Sequence, residues 1–528
     1  MREPKTGAEE DAAPASGRDA SGPDTSVPDA PGCDASSPDA PGEEGTLLRD
    51  SRPCDTRPRA GGPHPPGAVS LRYERGSLVV SGATPADPLA AVPGLVWDGR
   101  VQGFRCLALH YRPLLHWLTR AQRPYVDHAR AYGELTLPDR PPPSGEPYPY
   151  QQEALAAWAK TRRGVVELPT GAGKTRLALL AIAAVRRDTL VLVPTLDLVA
   201  QWAEAIRREL GLTVGMIGGG SFVLAPVTVS TYASAFRHGE RFGNRFGLAI
   251  FDECHHLPGE GYALCAEVLI APFRLGLSAT PERADQRHEL LEGLVGPAVY
   301  RKAIPELSGV YLAGYDVRTL HVELTAEERE RYDAERGLYR RFVAEQGLSL
   351  SGPRAWQRFV FLAGRTPEGR RALEAYRAQR HLAFAAEAKF ERLAELLVRH
   401  REERVLVFTH DNRTAYEISR RFLLPLITHQ TQLAERAETL RRFRDGRWPI
   451  LVTSKVLNEG VDVPQAGVAV ILSGNASVRE HVQRLGRILR KSLLAGGADK
   501  RAILYELLTR ATSEQGTSER RRQHEAYR

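Results

Sequence analysis

The sequence predicts an α/β protein with two doubly wound parallel sheets in tandem. Short apolar runs alternate with helical stretches across residues 148–305, and the same alternation returns over residues 390–508. Strands that alternate with helices form parallel sheets covered on both faces. The predicted strands are 164–168, 189–193, 227–231, 248–251 and 275–279 in the first block, and 405–408, 450–453, 468–472 and 503–507 in the second.

The chain before the first block divides into two parts. Residues 1–66 are low-complexity Asp, Ala, Pro, Gly and Ser, so we expect a disordered acidic tail that cannot bury enough apolar surface to fold. Residues 67–143 predict a small α/β module, with strands at 69–73 and 77–80 and an amphipathic helix near 108–121. A Pro-rich turn ends this module.

The two large domains are expected at residues 144–305 and 306–528. The second contains a segment, about 325–388, rich in Glu, Arg, Ala and Leu with helical periodicity. We interpret that segment as a helical insertion into the second sheet domain.

Charge and cysteine content narrow the class of protein. The formal net charge is +8, although residues 1–50 hold 12 acidic and only 4 basic side chains, so the rest of the chain is strongly basic. A basic body fits a polyanionic partner such as nucleic acid, and it also fits ordinary solubility charge. Five cysteines without C-x-x-C spacing favour the cytoplasm over a disulfide or zinc framework. No apolar run reaches transmembrane length, so we expect no membrane partner.

The stretch Leu-Pro-Thr-Gly-Ala-Gly-Lys-Thr at 168–175 predicts a phosphate-binding loop, although Leu168 stands where the strict pattern has glycine. Its glycines let backbone N–H groups curl around phosphate oxygens at a helix N-terminus. Lys174 would reach the β- and γ-phosphates, and the Thr175 hydroxyl would ligate Mg²⁺. The predicted nucleotide contacts of the loop are Thr170, Gly171, Ala172, Gly173, Lys174 and Thr175.

The sequence Asp-Glu-Cys-His at 252–255 ends the apolar run 246–251. Two carboxylates therefore fall at the C-terminal tip of a strand, where open α/β sheets bind ligands. Asp252 would hold Mg²⁺, and Glu253 would orient and deprotonate the attacking water. With the phosphate loop, these carboxylates predict an ATP hydrolase. No second ligand cluster accompanies His255, so we expect it to couple the ATP site to the second domain rather than to bind metal.

The second domain contains a basic run, Gln-Arg-Leu-Gly-Arg-Ile-Leu-Arg at 483–490, that we expect to act on the same nucleotide. Arg487 and Arg490 are three residues apart and share one face of a helix. We expect both to reach the transferring phosphoryl group as arginine fingers that stabilise its developing charge.

Across about residues 147–525 these motifs resemble superfamily 2 helicases, which implies RecA-like sheet domains. Tyr-Pro-Tyr-Gln at 148–151 is similar to the adenine-reading Q element, which implies Gln151 on the base edge and Tyr150 available to stack. Further similar segments are 193–202 (motif Ia), 229–232, 278–280 (motif III), 408–410 (motif IV) and 453–462 (motif V). The resemblance implies nucleotide or catalytic roles for Gly460, Asp462 and Gln483, and nucleic-acid contacts at Pro194, Thr195, Ser230, Thr231, Thr453 and Arg283.

The closest resemblance is to XPB-type DNA repair helicases. Two sequence segments carry this resemblance: the Asp-Glu-Cys-His box, and residues 280–285, which are similar to the family's Arg-Glu-Asp loop. Two features of the domain order also carry it: the thumb-like insertion, and the N-terminal module, which stands where the family has a damage-recognition domain. Ala284 departs from the acidic position of that loop, and Tyr148 stands where many relatives have arginine. The resemblance implies ATP and Mg²⁺ as cofactors, 3′→5′ movement, single-stranded or forked duplex DNA as partner, and a repair nuclease as a second partner.

Other functions remain open at this point. One is an RNA helicase or a restriction-type motor, although the Asp-Glu-Cys-His box and the insertion favour DNA and no nuclease motif is visible. Another is an ATP-gated nucleic-acid clamp that binds without unwinding. Displacement of DNA but not RNA from a 3′-tailed duplex separates these readings.

Overall fold

The computed structural model describes residues 67–139, 145–259, 261–282, 285–308, 310–312, 315–349, 355–454, 466–473 and 502–515. The predicted tail, 1–66, and the prolines of the predicted linker, 141–143, lie outside these residues. The described residues form three sheets, and two of them are the predicted parallel sheets in tandem. The predicted fold class is confirmed.

The N-terminal module is a five-stranded sheet with one α-helix. Its elements are β1 Val69–Glu74, β2 Ser77–Ser81, β3 Val96–Asp98, β4 Gly103–Leu107, α1 Tyr111–Arg120 and β5 Tyr125–Asp127. The strand order is β3-β4-β2-β1-β5. The predicted strands and helix are confirmed, and a short 3-10 turn at Ala108–His110 precedes the helix. Leu71, Leu78 and Phe104 of the sheet pack with Leu114 of α1 in one core.

The module is attached to the first large domain by hydrogen bonds. The Tyr73 hydroxyl donates to the Val268 carbonyl at 3.0 Å and lies 3.2 Å from the Glu240 carbonyl. Asn244 Nδ2 donates to the Ala129 carbonyl at 3.0 Å. Burial raises the pKa of the Tyr73 hydroxyl. These contacts place the module against the loop that precedes the central strands of the first large sheet.

The first large domain carries an eight-stranded sheet. Its strands are β6 Arg163–Glu167, β7 Thr189–Val193, β8 Val214–Gly218, β9 Ser221–Val223, β10 Val227–Thr231, β11 Leu248–Asp252, β12 Phe273–Ser278 and β13 Ala298–Arg301. Its helices are α2 Pro149–Thr161, α3 Lys174–Val185, α4 Leu196–Leu210, α5 Tyr232–His238, α6 Leu264–Glu267, α7 Leu290–Leu294 and α8 Ile304–Leu307. The order is β13-β6-β12-β11-β7-β10-β8-β9, parallel except for β9.

Alternating side chains on each central strand explain why helices cover both faces of this sheet. Val191 and Val193 of β7 join one apolar core, whereas Leu190 and Leu192 join a second core on the opposite face. Successive strand residues point to opposite faces, so a wholly apolar strand needs cover on both sides. Because these strands pair in parallel, the carboxyl ends of β6, β7, β10, β11 and β12 meet at one edge, and the predicted residues Asp252 and Glu253 lie there.

The second large domain carries a six-stranded parallel sheet. Its strands are β14 Tyr315–Val322, β15 Val405–Phe408, β16 Leu426–Ile427, β17 Ile450–Thr453, β18 Val468–Ile471 and β19 Ala502–Thr509, in the order β14-β19-β18-β15-β17-β16. Its described helices are α12 Glu387–Arg399, α13 Asn412–Phe422 and α14 Leu433–Arg444. Lys389 and Glu514 form a fully buried ion pair of 2.7 Å that joins α12 to the segment after β19.

The helical insertion is confirmed as three helices between β14 and α12, namely α9 Ala326–Glu345, α10 Ala355–Ala363 and α11 Pro367–Phe384. Helices α9 and α11 lie side by side, and Phe359 of α10 packs with Tyr339 and Phe342 in their shared core. Arg380 of α11 lies 2.9 Å from His410, at the end of β15, so the insertion contacts the segment that resembles motif IV.

In the two large sheets, five of the described strands were not predicted from the sequence, and all lie at or near sheet edges: β8, β9, β13, β14 and β16. Strand β8 contains two glycines and runs into the turn Gly218–Gly220, and β16 is only two residues long. Strand β14 gains its pairing partner from β19, almost 200 residues later. Short or glycine-rich edge strands lack the continuous apolar signal that identified the central strands.

Candidate active site

The phosphate loop lies where β6 ends and α3 begins. Gly171 and Gly173 have φ angles of +89° and +75°, in the left-handed region that favours glycine. A Cβ at Gly173 would also lie 2.6 Å from Gln151 Nε2, so a larger residue would push the loop away from α2. Helix α3 starts at Lys174, and its N-cap residue, Gly173, gives its first N–H groups no side-chain cap. The loop therefore forms an anion-binding concavity at a helix N-terminus.

Lys174 and the two strand-end carboxylates come together in this loop. Lys174 Nζ donates to the Leu168 carbonyl at 3.2 Å and lies 4.0 Å from Glu253 Oε1. Both side chains are largely buried, so the ammonium is held between the loop and the carboxylate by short-range attraction rather than by solvent-screened charge. A bound triphosphate would compete for the same ammonium.

The Asp252 carboxylate accepts two hydrogen bonds that were not predicted from the sequence. Trp202 Nε1 of α4 donates to Asp252 Oδ2 at 2.8 Å, and the Glu253 N–H donates to Asp252 Oδ1 at 3.0 Å. Burial, and next the neighbouring Glu253 carboxylate, raise the pKa of Asp252 to about 6. A buried carboxylate that is costly to ionise gains from a cation placed beside it.

The backbone around the acid pair is strained. Glu253 has φ +47° and ψ +52°, a left-handed conformation that few residues with a side chain adopt. The Tyr232 hydroxyl donates to the Asp252 carbonyl at 2.9 Å and holds this turn from below. Strained backbone of this kind persists where the surrounding structure holds it, and functional sites are where it clusters. Here it turns the Glu253 side chain away from the strand and toward Lys174.

His255 connects the acid pair to the next strand. Its Nδ1 lies 3.4 Å from Glu253 Oε2 and 3.3 Å from the Ser278 hydroxyl, and the Thr280 N–H donates to that hydroxyl at 3.2 Å. Glu253, His255, Ser278 and Thr280 therefore form one polar chain from β11 to the end of β12. The imidazole is positioned to transmit a shift at the carboxylate to the segment that resembles motif III.

The donors of the site fit a magnesium nucleotide. The Thr170 hydroxyl is buried and, among the described residues, has no hydrogen-bond partner, as expected for a group whose partner is a bound phosphate. Mg²⁺ commonly takes one or two protein ligands together with phosphate oxygens and water. Thr175 and Asp252 match that requirement, and the described residues hold no group of three His, Cys, Asp or Glu side chains able to form a cage of their own.

Three segments of the chain match known families. Residues 71–129 match the family described as the Xeroderma pigmentosum group B helicase damage recognition domain. Residues 144–283 match the type III restriction enzyme, res subunit, and residues 388–492 match the helicase conserved C-terminal domain. The first match relates the N-terminal module to a damage recognition domain by its sequence. The sequence analysis had related the two only by the position of the module in the chain.

Similarity over whole chains decides the family. The chain is 42% identical over 459 residues to the DNA 3′-5′ translocase XPB2 of Sulfurisphaera tokodaii, which covers 86% of this chain and 100% of that protein. The chain belongs to the XPB family of superfamily 2 DNA helicases. It is 31% identical over 374 residues to the DNA 3′-5′ helicase XPB of Mycobacterium tuberculosis and 31% identical over 380 residues to that of Kineococcus radiotolerans, covering 68% and 70% of this chain. It spans 60% of the length of each of those two proteins.

Membership of the XPB family confirms the predicted enzyme class, an ATP-hydrolysing DNA helicase. In this XPB-family chain, the predicted role of Tyr150 needs correction. Tyr150 is only 4% exposed, and its hydroxyl donates to the Ala172 carbonyl at 2.7 Å, so its ring is not available to stack on a base. Tyr148 is 43% exposed and stacks on Tyr150 at 5.8 Å, with the Arg176 guanidinium 5.7 Å from its ring centre. Tyr148 is the ring that faces outward beside the loop.

Gln151 also differs from its expected placement. Its side chain is buried, with Nε2 3.4 Å from the Ala172 and Gly173 carbonyls and Oε1 accepting from the Tyr148 N–H at 3.1 Å. The amide therefore holds the phosphate loop against α2 in this structure, and it is not presented on an open base-binding face. The sequence motif singled out residues that lie beside the phosphate loop, but their hydrogen bonds could be assigned only from the tertiary structure.

The predicted strand-contacting residues divide by burial. Thr195 and Thr231 lie at the carboxyl ends of β7 and β10 and cap α4 and α5, accepting from the Leu198 and Ser234 N–H groups. Pro194 lies beside Thr195 at the same edge. The Ser230 and Thr453 side chains are fully buried, so these two hydroxyls do not face a bound DNA strand in this structure. Thr231, the last residue of β10, is also buried, whereas Pro194 and Thr195, which follow β7, are half-buried.

The remaining predicted site residues lie outside the described residues. They are Arg283 and Ala284 of the loop after motif III, Gly460 and Asp462, and Gln483, Arg487 and Arg490. One contact does join the two sheet domains near the strand edge: Arg436 of α14 forms an ion pair with Asp197, in the first turn of α4. Within the described residues, no helix is long and apolar enough to cross a membrane.

Replacing His255 with Ala is expected to lower DNA stimulation of ATP hydrolysis more than basal hydrolysis. The change removes the imidazole that connects Glu253 to Ser278, while Lys174 and both carboxylates stay in place. Steady-state ATPase rates with and without DNA measure the ratio. His256→Ala is the matched control, because that ring lies beside His255. A His255→Ala enzyme with wild-type stimulation would contradict this coupling role.

Proposed function

We propose that this XPB-family chain couples ATP hydrolysis to 3′→5′ movement along DNA, with strand separation, in DNA repair. The observation that supports it most directly is the meeting of Lys174, Asp252 and Glu253 at the carboxyl edge of one sheet, with a polar chain leading from Glu253 to the end of β12. The identity to a DNA 3′-5′ translocase over its full length supports the direction and the nucleic acid.

Each residue of the site has a proposed part in hydrolysis. The loop N–H groups and Lys174 bind the β- and γ-phosphates of ATP, and Thr175 and Asp252 hold Mg²⁺, which supplies charge neutralisation at the phosphates. Glu253 accepts a proton from the attacking water while the water oxygen bonds to the γ-phosphorus. At the same time the bond between the γ-phosphorus and the bridging oxygen breaks, and that oxygen leaves with ADP. Lys174 stabilises the negative charge that develops on the transferred group.

The proposed second wall of the site comes from the second domain. By resemblance, Gln483, Arg487 and Arg490 contact the γ-phosphate across the cleft, and Gly460 and Asp462 contact the nucleotide. On the strand side, the N-termini of α4 and α5 offer backbone N–H groups beside Pro194, Thr195 and Thr231. Such groups bind phosphates without reading bases, which suits movement along any sequence. Arg283 is proposed as a further DNA contact.

We propose Tyr148 as the platform for adenine. Its exposed ring is supported from behind by Tyr150 and Tyr311 and lies beside the loop that would bind the phosphates. Stacking on a preformed aromatic face binds the base in ground and transition states alike, so it affects affinity and leaves the chemistry unchanged.

Replacing Tyr148 with Ala is therefore expected to raise KM for ATP about 5- to 10-fold with little change in kcat. Tyr148→Phe keeps the ring and is expected to behave like the wild type. Steady-state kinetics at saturating DNA separate the two parameters. A fall in kcat at unchanged KM would show that this ring acts in catalysis and not in base binding.

The proposed domain division is a damage-recognition-like module at 67–143, a first RecA-like domain at 144–305 and a second at 306–528 with the thumb-like insertion. The cytoplasm is the proposed compartment, supported by Cys106, Cys254 and Cys265, which are buried free thiols. A repair nuclease is a proposed partner.

Strand displacement tests this function. The protein is incubated with ATP and labelled duplexes that carry a 3′ tail, a 5′ tail or a fork, made from DNA or from RNA. Displacement of 3′-tailed and forked DNA, with RNA left intact, is the expected result. Tight DNA binding without displacement would favour a clamp or a translocase on duplex DNA, and displacement of RNA alone would contradict the proposal.

A further inference from the structure

A basic and aromatic surface lies beside the strand edge of the first domain. We call it the α5 rim, and it consists of Phe222, Arg237, His238, Arg241 and Arg245. The three arginines are exposed, and Phe222 is an aromatic side chain on the edge strand β9 that remains 37% exposed. An exposed large aromatic ring is informative when cations surround it, because burial in a core does not explain its position.

Phe222 organises this surface. The Arg241 guanidinium lies 4.5 Å from the centre of the Phe222 ring, and the His238 ring meets Phe222 edge-on at 5.6 Å. A cation above an aromatic face gains a cation–π attraction, which restricts an otherwise mobile side chain. Phe222 therefore presents Arg241 in a defined position on the surface.

The rim carries uncompensated positive charge. Residues 237–245 include three arginines and one histidine against a single acid, Glu240. Among the described residues, none of these three arginines forms an ion pair with a carboxylate. Arg441 and Arg442 of α14, by contrast, both form ion pairs with Glu438. A cluster of unpaired arginines is the electrostatic pattern of a polyanion contact.

The rim joins two parts of the proposed DNA path. Helix α5 begins at Tyr232, directly after the end of β10, and runs about 10 Å to His238. The next residues reach the N-terminal module, because the Glu240 carbonyl lies 3.2 Å from the Tyr73 hydroxyl and Asn244 donates to the Ala129 carbonyl. The positive residues therefore lie on the stretch of surface between the strand-contacting edge and the module that matches a damage recognition domain.

We propose that the α5 rim is a DNA-backbone contact that carries the DNA between the strand edge and the N-terminal module, with Arg241 on a phosphate and Phe222 positioning Arg241. This inference rests on the proposed function, since it extends the DNA path of the same enzyme. The contact is independent of base sequence, because guanidinium groups bind phosphate oxygens in a bidentate fork. It couples the module and the motor through DNA as well as through the protein contacts.

Arg241→Ala in the full chain is expected to weaken binding to a forked DNA of about 30 base pairs by roughly 3- to 10-fold and to reduce the slope of log Kd against log salt by about 1. Phe222→Ala should produce a similar loss, and Phe222→Tyr, which retains the ring, should restore wild-type affinity. Arg207→Ala, in the last turn of α4 away from the strand edge, is the control. Melting temperature and DNA-free ATPase rate should stay unchanged in all four variants.

The outcomes separate this inference from the proposed function. If the wild type binds and is stimulated by DNA but Arg241→Ala keeps its affinity and salt slope, the rim proposal is wrong and the helicase proposal stands. If the wild type shows no DNA binding, both are wrong. Weakened binding in Phe222→Tyr as well as Phe222→Ala would contradict the positioning role of the ring, and an equal loss in Arg207→Ala would show that only net charge matters.

Discussion

Glu253→Gln is expected to lower ATP turnover by about 10²- to 10⁴-fold while ATP affinity stays close to that of the wild type. The amide keeps the size and the polar character of the side chain but cannot accept the proton of the attacking water. Lys174 and the phosphate loop, which bind the phosphates, remain. Turnover at saturating DNA and equilibrium binding of a fluorescent ATP analogue measure the two effects separately.

The control for this change is Glu153→Gln, an exposed carboxylate on α2 that accepts a hydrogen bond from Tyr300. It removes one negative charge from the same domain without touching the loop. Its rate should match that of the wild type. Near-normal turnover by the Glu253→Gln enzyme would assign the base to another group.

Lys174→Ala is expected to reduce kcat/KM for ATP by about 10³-fold or more, and here binding is lost together with catalysis. The ammonium is the side-chain cation closest to Glu253 in the described site, 4.0 Å from it. Its removal deprives the γ-phosphate of its charge partner. It also leaves Asp252 and Glu253 without the cation that lowers the pKa of Asp252, so Asp252 should protonate more readily.

Two further variants decide whether the loss belongs to the ammonium at this position. Lys174→Arg keeps the charge in a different shape and is expected to recover little activity, because a planar guanidinium does not fit the tight loop. Lys160→Ala, an exposed lysine on α2, should behave like the wild type. Substantial hydrolysis by Lys174→Ala, with the fold intact by circular dichroism, would contradict the phosphate-loop assignment.

The sequence predicted the parts of this site that lie in short contiguous segments. The phosphate loop, Lys174 and the Asp252–Glu253 pair each follow a central strand, and such strands carry a continuous apolar signal. Once those strands were assigned, the direction of a parallel sheet placed all their carboxyl ends at one edge. That is why the acid pair could be brought to the loop without knowledge of the tertiary structure.

The side-chain partners were not predictable in the same way. Tyr150 and Gln151 belong to a recognised motif, yet their orientation depends on the Ala172 and Gly173 carbonyls, which only the folded loop provides. Trp202 was visible in the motif Ia segment, but its bond to Asp252 joins residues 50 positions apart. A tryptophan in a helix gives no sequence signal that its indole N–H points at the carboxylate that we propose as a Mg²⁺ ligand.

Burial separates Ser230 and Thr453 from the other predicted DNA-contacting residues at strand ends. Ser230 and Thr453 are hydroxyl residues near the ends of central strands, and a motif match treats them like Thr195, which follows β7 and is half-buried. Central strands of a doubly covered sheet bury every side chain on both faces, so a hydroxyl becomes exposed only after the strand has ended. The last residue that pairs with a neighbouring β-strand decides which hydroxyl faces the solvent. Amino-acid composition does not reveal where that pairing ends.

The central claim is that DNA stimulates ATP hydrolysis at the site formed by Lys174 and Glu253. The most direct measurement is the steady-state ATPase rate of the wild type titrated in parallel with single-stranded DNA, forked DNA and RNA, with Glu253→Gln as the zero. We expect the rate to rise and saturate with both DNAs and to stay at its basal value with RNA. A rate that is independent of DNA, or that rises only with RNA, would contradict the account.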